Sequence, residues 1–341
     1  MIIDDAIDRA VAFLRKQQLP HGEFKTLLGK NRAMVDPVFD SSPFVTSFVL
    51  YALSHLDRAS IDDMASYALN FLREEMEFGG VWRYWSSRQH KHHRLPPDLD
   101  DTSCISYALR VMGASAPNNR WAFHCARDAA GRFQTWLLPR PGRLGPWVLL
   151  SRSVGFCQAR LLTRKLGPDG PEDPRFRTMH IVRDDVDPVV NANVVLYLGE
   201  SDETAPAIQY IIEAVTTRAS PFSLYYEDPL ALYYTVSRAY RHAAPSLAVL
   251  KGAIVEAVAH RGGEDGTYGN PLCAAMAVSV LLTYDACANV VEGCIDYIIK
   301  MQRDDGGWNA YAFYNVWGSE ELTTAFCLEA LCRYRPFVSA S

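Results

Sequence analysis

Three aspartates stand within four positions in the run DLDDT, residues 98–102, where a polar loop gives way to an apolar segment with helical spacing. One short polar side chain is enough to cap a helix amino terminus, so Asp98, Asp100 and Asp101 exceed what the backbone needs. Two carboxylates ~4 Å apart repel by roughly 1–4 kcal/mol at an effective dielectric of 80 to 20, which is about 1–3 pKa units. Crowding therefore lets one member keep its proton near neutral pH while its neighbours stay ionised, the division of labour expected of a general acid. A helix amino terminus favours anions, which suits the flanking carboxylates better than the acid. The competing reading is a helix cap with surplus acid.

Other residues could contribute chemistry. Immediately upstream, RQHKHHRLPP at 88–97 supplies His90, His92, His93 and Arg94. A solvated loop, contact with a diphosphate and tuning of the acid are all open to it, because cationic groups bind phosphate oxygens and shift neighbouring pKa values. A metal centre would need further ligands converging from elsewhere, and none is assigned. Aromatic faces stabilise a cation by ~0.5–2 kcal/mol each without reacting as bases. Trp82, Trp85, Tyr225, Tyr226, Tyr233, Trp308, Phe313 and Trp317 are the candidates for such a lining, against the alternative that each packs in the core. Asp4, Asp5 and Asp8 in DDAID open an amphipathic helix and read as capping and solvation.

The elements that must position these residues repeat along the chain. Six apolar segments (40–56, 98–113, 187–201, 228–241, 270–284 and 319–334) each follow a polar start. Three superpose without gaps as TSFVLYAL, TSCISYAL and TAFCLEAL, which puts Thr46, Thr102 and Thr324 at one position. Asp100 then aligns with Leu322 and Val189, and Asp101 with Thr323 and Val190; Asp98 alone has an acidic echo, Asp187. Between them lie amphipathic segments with three-and-four spacing at 3–17, 61–75, 119–138, 205–218, 246–260 and 289–302. The pattern predicts six helix pairs at roughly 50-residue spacing, with apolar inner helices and an outer ring of charged ones. Gly-aromatic loops follow several outer helices, as in EFGGVWRYW (77–85) and QRDDGGW (302–308), and read as structural staples.

A stretch rich in basic residues, without an acidic one from 129 to 168, interrupts the rhythm; a solvated amphipathic insert, a membrane or substrate contact and an anion site are its readings. The 341-residue chain has a net charge of -5, which provides no general basic field for nucleic acid. Its acidic, amphipathic start lacks the plan of a signal peptide, which predicts a cytoplasmic protein. The eight cysteines are scattered through helical surroundings and read as reduced thiols.

Six helix pairs, a Gln-to-Gly-Trp loop and D-x-D-D-T at an inner helix start together resemble the terpenoid cyclase and protein prenyltransferase superfamily. DLDDT is similar to the signature of class II terpene cyclases, which include squalene-hopene cyclase and the copalyl diphosphate synthases. The resemblance implies an all-α fold, a single alpha-alpha toroid spanning 1–341 with a basic insertion at about 139–186. It implies that Asp100 protonates a terminal alkene or epoxide of an isoprenoid, with Asp98 and Asp101 orienting it and Thr102 supporting the turn. Trp82, Trp85, Tyr225, Tyr226, Trp308, Trp317, His93 and Arg94 would contact the substrate, a prenyl diphosphate or prenylated small molecule; Mg2+ would be needed only with a diphosphate.

Such cyclases place their site between two barrels, whereas this chain has residues for one. Either the single toroid encloses its own smaller cavity, or a homodimer or second subunit completes it. The zinc pattern of prenyltransferase beta subunits, with Asp and Cys two apart, does not occur, which ranks a beta-like subunit low. Alternatives are a toroid that binds a lipid or protein, and a carbohydrate-active barrel pairing Asp100 with Glu320 or Asp187.

Overall fold

A computed structural model describes residues 2–138, 182, 184–218, 222–262 and 267–339. Its helices alternate between two rings: α1 (Ile2–Gln17) and α2 (Pro43–Leu53), α3 (Arg58–Glu74) and α4 (Leu99–Val111), α5 (Arg120–Cys125) and α6 (Pro188–Leu198), α7 (Ala205–Thr217) and α8 (Pro229–His242), α9 (Lys251–Arg261) and α10 (Pro271–Thr283), α11 (Ala288–Lys300) and α12 (Glu320–Ser339). The even-numbered helices pack against one another in the cyclic order α2, α4, α6, α8, α10, α12 and back to α2. They are the inner ring, and the all-α toroid expected of the repeats is the observed fold. Burial on both sides explains why helices such as α2, all of whose residues are buried, lack a polar face.

Each inner helix begins at a side-chain cap. Ser42, Asp98, Asp187, Asp228 and Asn270 accept backbone N–H groups at the starts of α2, α4, α6, α8 and α10, and Ser319 Oγ accepts from Leu322 at the start of α12. Proline follows four of these caps, at a position whose N–H has no helical acceptor.

The repeated threonines have a structural use. Thr46, Thr102 and Thr324 each accept, through Oγ1, the backbone N–H of the aromatic residue that ends the preceding loop: Phe24 at 3.0 Å, Trp82 at 3.2 Å and Trp308 at 3.3 Å. Gln18 and Gln302 close the same loops by donating to Gly22 and Gly306 carbonyls. Loop, outer helix and inner helix are thereby fixed to one another in each copy.

Two features depart from the pattern. A four-stranded sheet, in the order β2-β1-β4-β3, joins β1 (Leu27–Leu28) and β2 (Val38–Phe39) of the first repeat to β3 (Tyr311–Tyr314) and β4 (Trp317–Ser319) of the last. Strands of two to four residues are too short to show alternation in a sequence. Gly318 is required there, since a Cβ would lie 1.9 Å from the Tyr311 carbonyl oxygen. The outer helix expected over 119–138 stops at Cys125. Gln134 N–H returns to the Ala126 carbonyl at 2.7 Å, and Asn191 holds both the N–H and the carbonyl of Phe133, so tertiary hydrogen bonds override the local helical spacing. The basic insertion and the membrane contact read into it fall almost wholly outside the described residues. No helix among those residues is long and apolar enough to cross a membrane.

Replacing Thr324 by valine keeps its shape and orphans the buried Trp308 N–H. A loss of about 1–3 kcal/mol in unfolding free energy is expected by denaturant titration, and an unchanged midpoint would remove the staple from this account.

Candidate active site

The amino-terminal ends of α2 and α4 and the segments that lead into α8 and α12 border a partly open chamber of about 60 Å3. Phe44, Tyr84, Tyr314 and Trp317 form one wall; Trp136, Tyr225 and Tyr226 form another, with Thr135 and Asn315 between. Asp98, Asp100 and Asp101 reach it from α4. Asp98 and Asp101 are each 3% exposed, while Asp100 is only half-buried and so is the member with the freest approach.

The three carboxyls have different tasks. Asp98 is the helix cap, accepting the Asp101 N–H at 2.8 Å, and thus does in this repeat what Ser42 and Asp187 do in theirs. The Asp101 side chain hydrogen-bonds to Asp98, and its Oδ1 is buried without a hydrogen-bond partner among the described residues, as suits a protonated carboxyl. Asp100 accepts the Tyr226 hydroxyl at 2.5 Å and the Asn193 amide at 2.9 Å. Asn193 Oδ1 is buried without a donor. Turning that amide over presents the oxygen to Asp100, which a protonated Asp100 satisfies; amide orientation follows the hydrogen-bond network.

Burial dominates the acid-base properties. It lifts Asp98 to about 7, with the Asp100 charge adding to the effect. Asp101 is raised well above the usual carboxyl range by burial and then by Asp98. Burial also raises Asp100, against the lowering effect of the Tyr226 and Asn193 hydrogen bonds. Such groups titrate as a unit, and the unit retains protons near neutrality. Part of the crowding comes from outside the motif: Asp187, lifted to about 7 by burial and by the charges of Asp185 and Asp100, hydrogen-bonds Ser223 behind Tyr226.

Several expected contact residues lie elsewhere. Trp82 and Trp308 are fully buried staples whose indoles donate to the Leu72 and Ile298 carbonyls. Trp85 stands behind the wall, donating to Asp40 Oδ2 at 2.9 Å; the same oxygen accepts Trp317 at 2.8 Å and so fixes that ring at the chamber. His93 and Arg94 are exposed, turned outward by the short helical turn His92–Arg94. Phe313 packs behind Tyr226, and Tyr233 borders a separate cleft of about 230 Å3. Tyr225, Tyr226 and Trp317 do reach the chamber.

The sequence reading missed Asn193, Phe44, Tyr84, Trp136 and Tyr314. Asn193 had a signal, a polar residue inside the apolar run VVNANVVLYL. Trp136 was hidden by the helix assigned to its segment; the bridge between Asp98 and Trp136 lays that segment beside the acidic turn. No group of three His, Cys, Asp or Glu among the described residues is arranged to hold a metal ion.

Because Asp187 has a raised pKa when folded, its contribution is fully present below its unfolded value near ~3.8 and is lost as pH rises through about 7. The melting temperature of the parent relative to Asp187→Asn should therefore fall between about pH 4 and 7 and level off above that; a constant difference would contradict the buried-acid assignment.

Scans against family models and curated proteins find no match by sequence. Solved structures do match. A variant of the type II terpene cyclase MstE from Scytonema, in complex with geranylgeranyl dihydroxybenzoate, superposes with a TM-score of 0.71 at 16% identity over 98% of each chain. The ent-copalyl diphosphate synthase of Streptomyces platensis gives a TM-score of 0.61 at 13% identity, covering 88% of this chain and 52% of that one. An unsaturated glucuronyl hydrolase specific for heparin gives 0.60 at 10% identity over 99% and 98%. In fold, this chain is a single alpha-alpha toroid of the class II terpene cyclase kind.

Proposed function

We propose that the protein is a class II terpene cyclase in which Asp100 starts ring closure by protonating an isoprenoid alkene. The observation that carries this reading is Asp100 itself: a carboxyl opening into an aromatic-walled chamber, backed by two buried carboxyls that hold protons near neutrality.

Protonating an alkene asks for two opposing properties. The donor must keep its proton until substrate arrives, and its conjugate base must be stable once the proton has gone. Burial supplies the first. Tyr226 and Asn193 supply the second, since both donate to the Asp100 carboxylate. The proton passes from an Asp100 oxygen to the less substituted alkene carbon, leaving a tertiary cation. A second alkene of the same molecule attacks that cation and closes a ring, and loss of a proton to a base or addition of water ends the sequence. With proton loss the product is an isomer of the substrate, and any diphosphate stays attached. The rings of Tyr84, Tyr314, Trp317 and Trp136 line the chamber in which the cation would form. The substrate class is a prenyl diphosphate or a prenylated small molecule. The hydrolase likeness concerns fold alone; Glu320, one of the carboxyls a sugar-cleaving site would use, is bound to Arg303 outside the chamber lining.

Incubation with ten-, fifteen- and twenty-carbon prenyl diphosphates and prenylated hydroxybenzoates, followed by mass spectrometry, should yield cyclic isomers. Asp100→Asn should reduce their formation at least about 100-fold without unfolding the protein; unchanged formation would remove Asp100 as the acid, and no turnover by the parent would favour a toroid that only binds lipid or protein. The rate should fall as pH rises above about 7, because the cluster then loses its protons. A flat profile to pH 9 would contradict the proton-holding role of the cluster.

A further inference from the structure

The chamber stops short of the barrel's far end, and a cation stands there. Arg238 on α8 is 3% exposed, and its Nε and Nη1 have no hydrogen-bond partner among the described residues. Rings enclose it instead. The guanidinium carbon lies 3.9 Å from the centroid of Tyr51, 5.3 Å from Tyr234, 5.5 Å from Phe48 and 5.6 Å from Tyr107. These side chains come from the inner helices α2, α4 and α8, so the box lies within the ring.

Next to the box, Glu329 of α12 accepts the Tyr234 hydroxyl at 2.5 Å and Arg333 at 3.1 Å. Burial works against ionisation of Glu329, but the cations around it prevail and hold its pKa below the ordinary value. One carboxylate thus faces two guanidiniums, and the plug keeps a net positive charge. His55 and His242 also border it; burial depresses both, His242 to about 4, so neither adds charge at neutral pH. The carboxyl-terminal halves of the inner helices favour a cation at this end. Along α4, Tyr107 follows Asp100 by seven residues, or ~10 Å of helix rise, which sets the box about two turns beyond the acid.

We propose that Arg238 and its aromatic box are the floor of the reaction chamber, and that this floor restricts cyclisation to a single ring at the end of the prenyl chain. The proposal rests on the cyclase reading. Two physical effects combine. The four ring faces best placed to stabilise a carbocation deeper in the barrel are already engaged by a resident cation, and the same charge repels a second one. Space bears on this: a cavity of about 150 Å3 accommodates one benzene ring, and the chamber of about 60 Å3 is less than half as large, so even a first ring must lie partly at its open side. A chain folded for several rings would have to extend from the chamber towards Arg238, where four rings already pack on the guanidinium, while one terminal ring can form at the open side with the remainder of the molecule directed outward.

The test compares product ring number for the parent, Arg238→Met and Arg238→Lys on fifteen- and twenty-carbon prenyl diphosphates, with melting curves to verify folding. The parent should give one-ring products from both substrates, as should Arg238→Lys, which keeps the charge. Arg238→Met should raise the share of products with two or more rings at least tenfold. Tyr107→Leu opens the box without touching the charge and should shift products in the same direction, which keeps the test valid if Arg238→Met does not fold. Multi-ring products from the parent, an unchanged ring pattern in a folded opening variant, or loss of all turnover in folded Arg238→Met would each overturn the floor assignment while leaving the cyclase reading in place. Absence of turnover by the parent on every chain length would overturn both.

Discussion

The structure depends on how a buried amino-terminal helix end is satisfied. Six inner helices need side-chain caps, and four of the six repeats meet that need with one Ser, Asp or Asn and little more, while α12 adds Glu320 and the buried Glu321 to its Ser319 cap. At α4 the cap, Asp98, is joined by Asp101, withdrawn from water like it, and by the half-buried Asp100 at the chamber. Desolvation and mutual repulsion then keep protons on carboxyls that would be ionised on a surface. The helix end works the other way, favouring the anion. Balance between these influences is what a donor to an alkene needs: a proton held at neutral pH and a conjugate base with hydrogen bonds waiting for it.

The rest of the toroid serves to keep that balance in place. Thr46, Thr102 and Thr324 bind each aromatic loop to its inner helix, so the register of α4 relative to its neighbours cannot drift. Asp40 draws Trp85 and Trp317 onto one oxygen and sets the wall of the chamber. The sheet between first and last repeats brings Tyr314 and Trp317 to the chamber, where the Tyr314 ring lies 6.3 Å from that of Tyr226. At the other end of the barrel the chemistry changes sign, from carboxyls among helix starts to guanidiniums near helix ends.

Much of this was legible in the sequence because it repeats. Helix pairs, inner and outer faces and the threonine position all follow from periodicity, and the comparison of repeats isolated Asp100 and Asp101 from the capping residue Asp98. Features that occur once were harder to see. Trp136 sits in a segment whose spacing suits a helix, and only the tertiary hydrogen bonds of Asn191 and the Asp98 turn make it an extended strip. Tryptophan identity was a poor guide to lining: Trp82 and Trp308 share the loop signature and are staples, whereas Trp317 lies beyond that signature and reaches the chamber. Asn193 was visible as a polar residue in an apolar helix and Arg238 as one charge among several on α8, but which of them turns inward depends on neighbours distant in sequence.

The most direct measurement of the central claim is the fate of the proton. Turnover in D2O with an unlabelled prenyl substrate, read by mass spectrometry and NMR, should place one non-exchangeable deuterium on the less substituted carbon of the former terminal alkene in each cyclised product, with the head group retained. Products without deuterium, or release of inorganic diphosphate with ring formation, would contradict protonation by Asp100 as the initiating step.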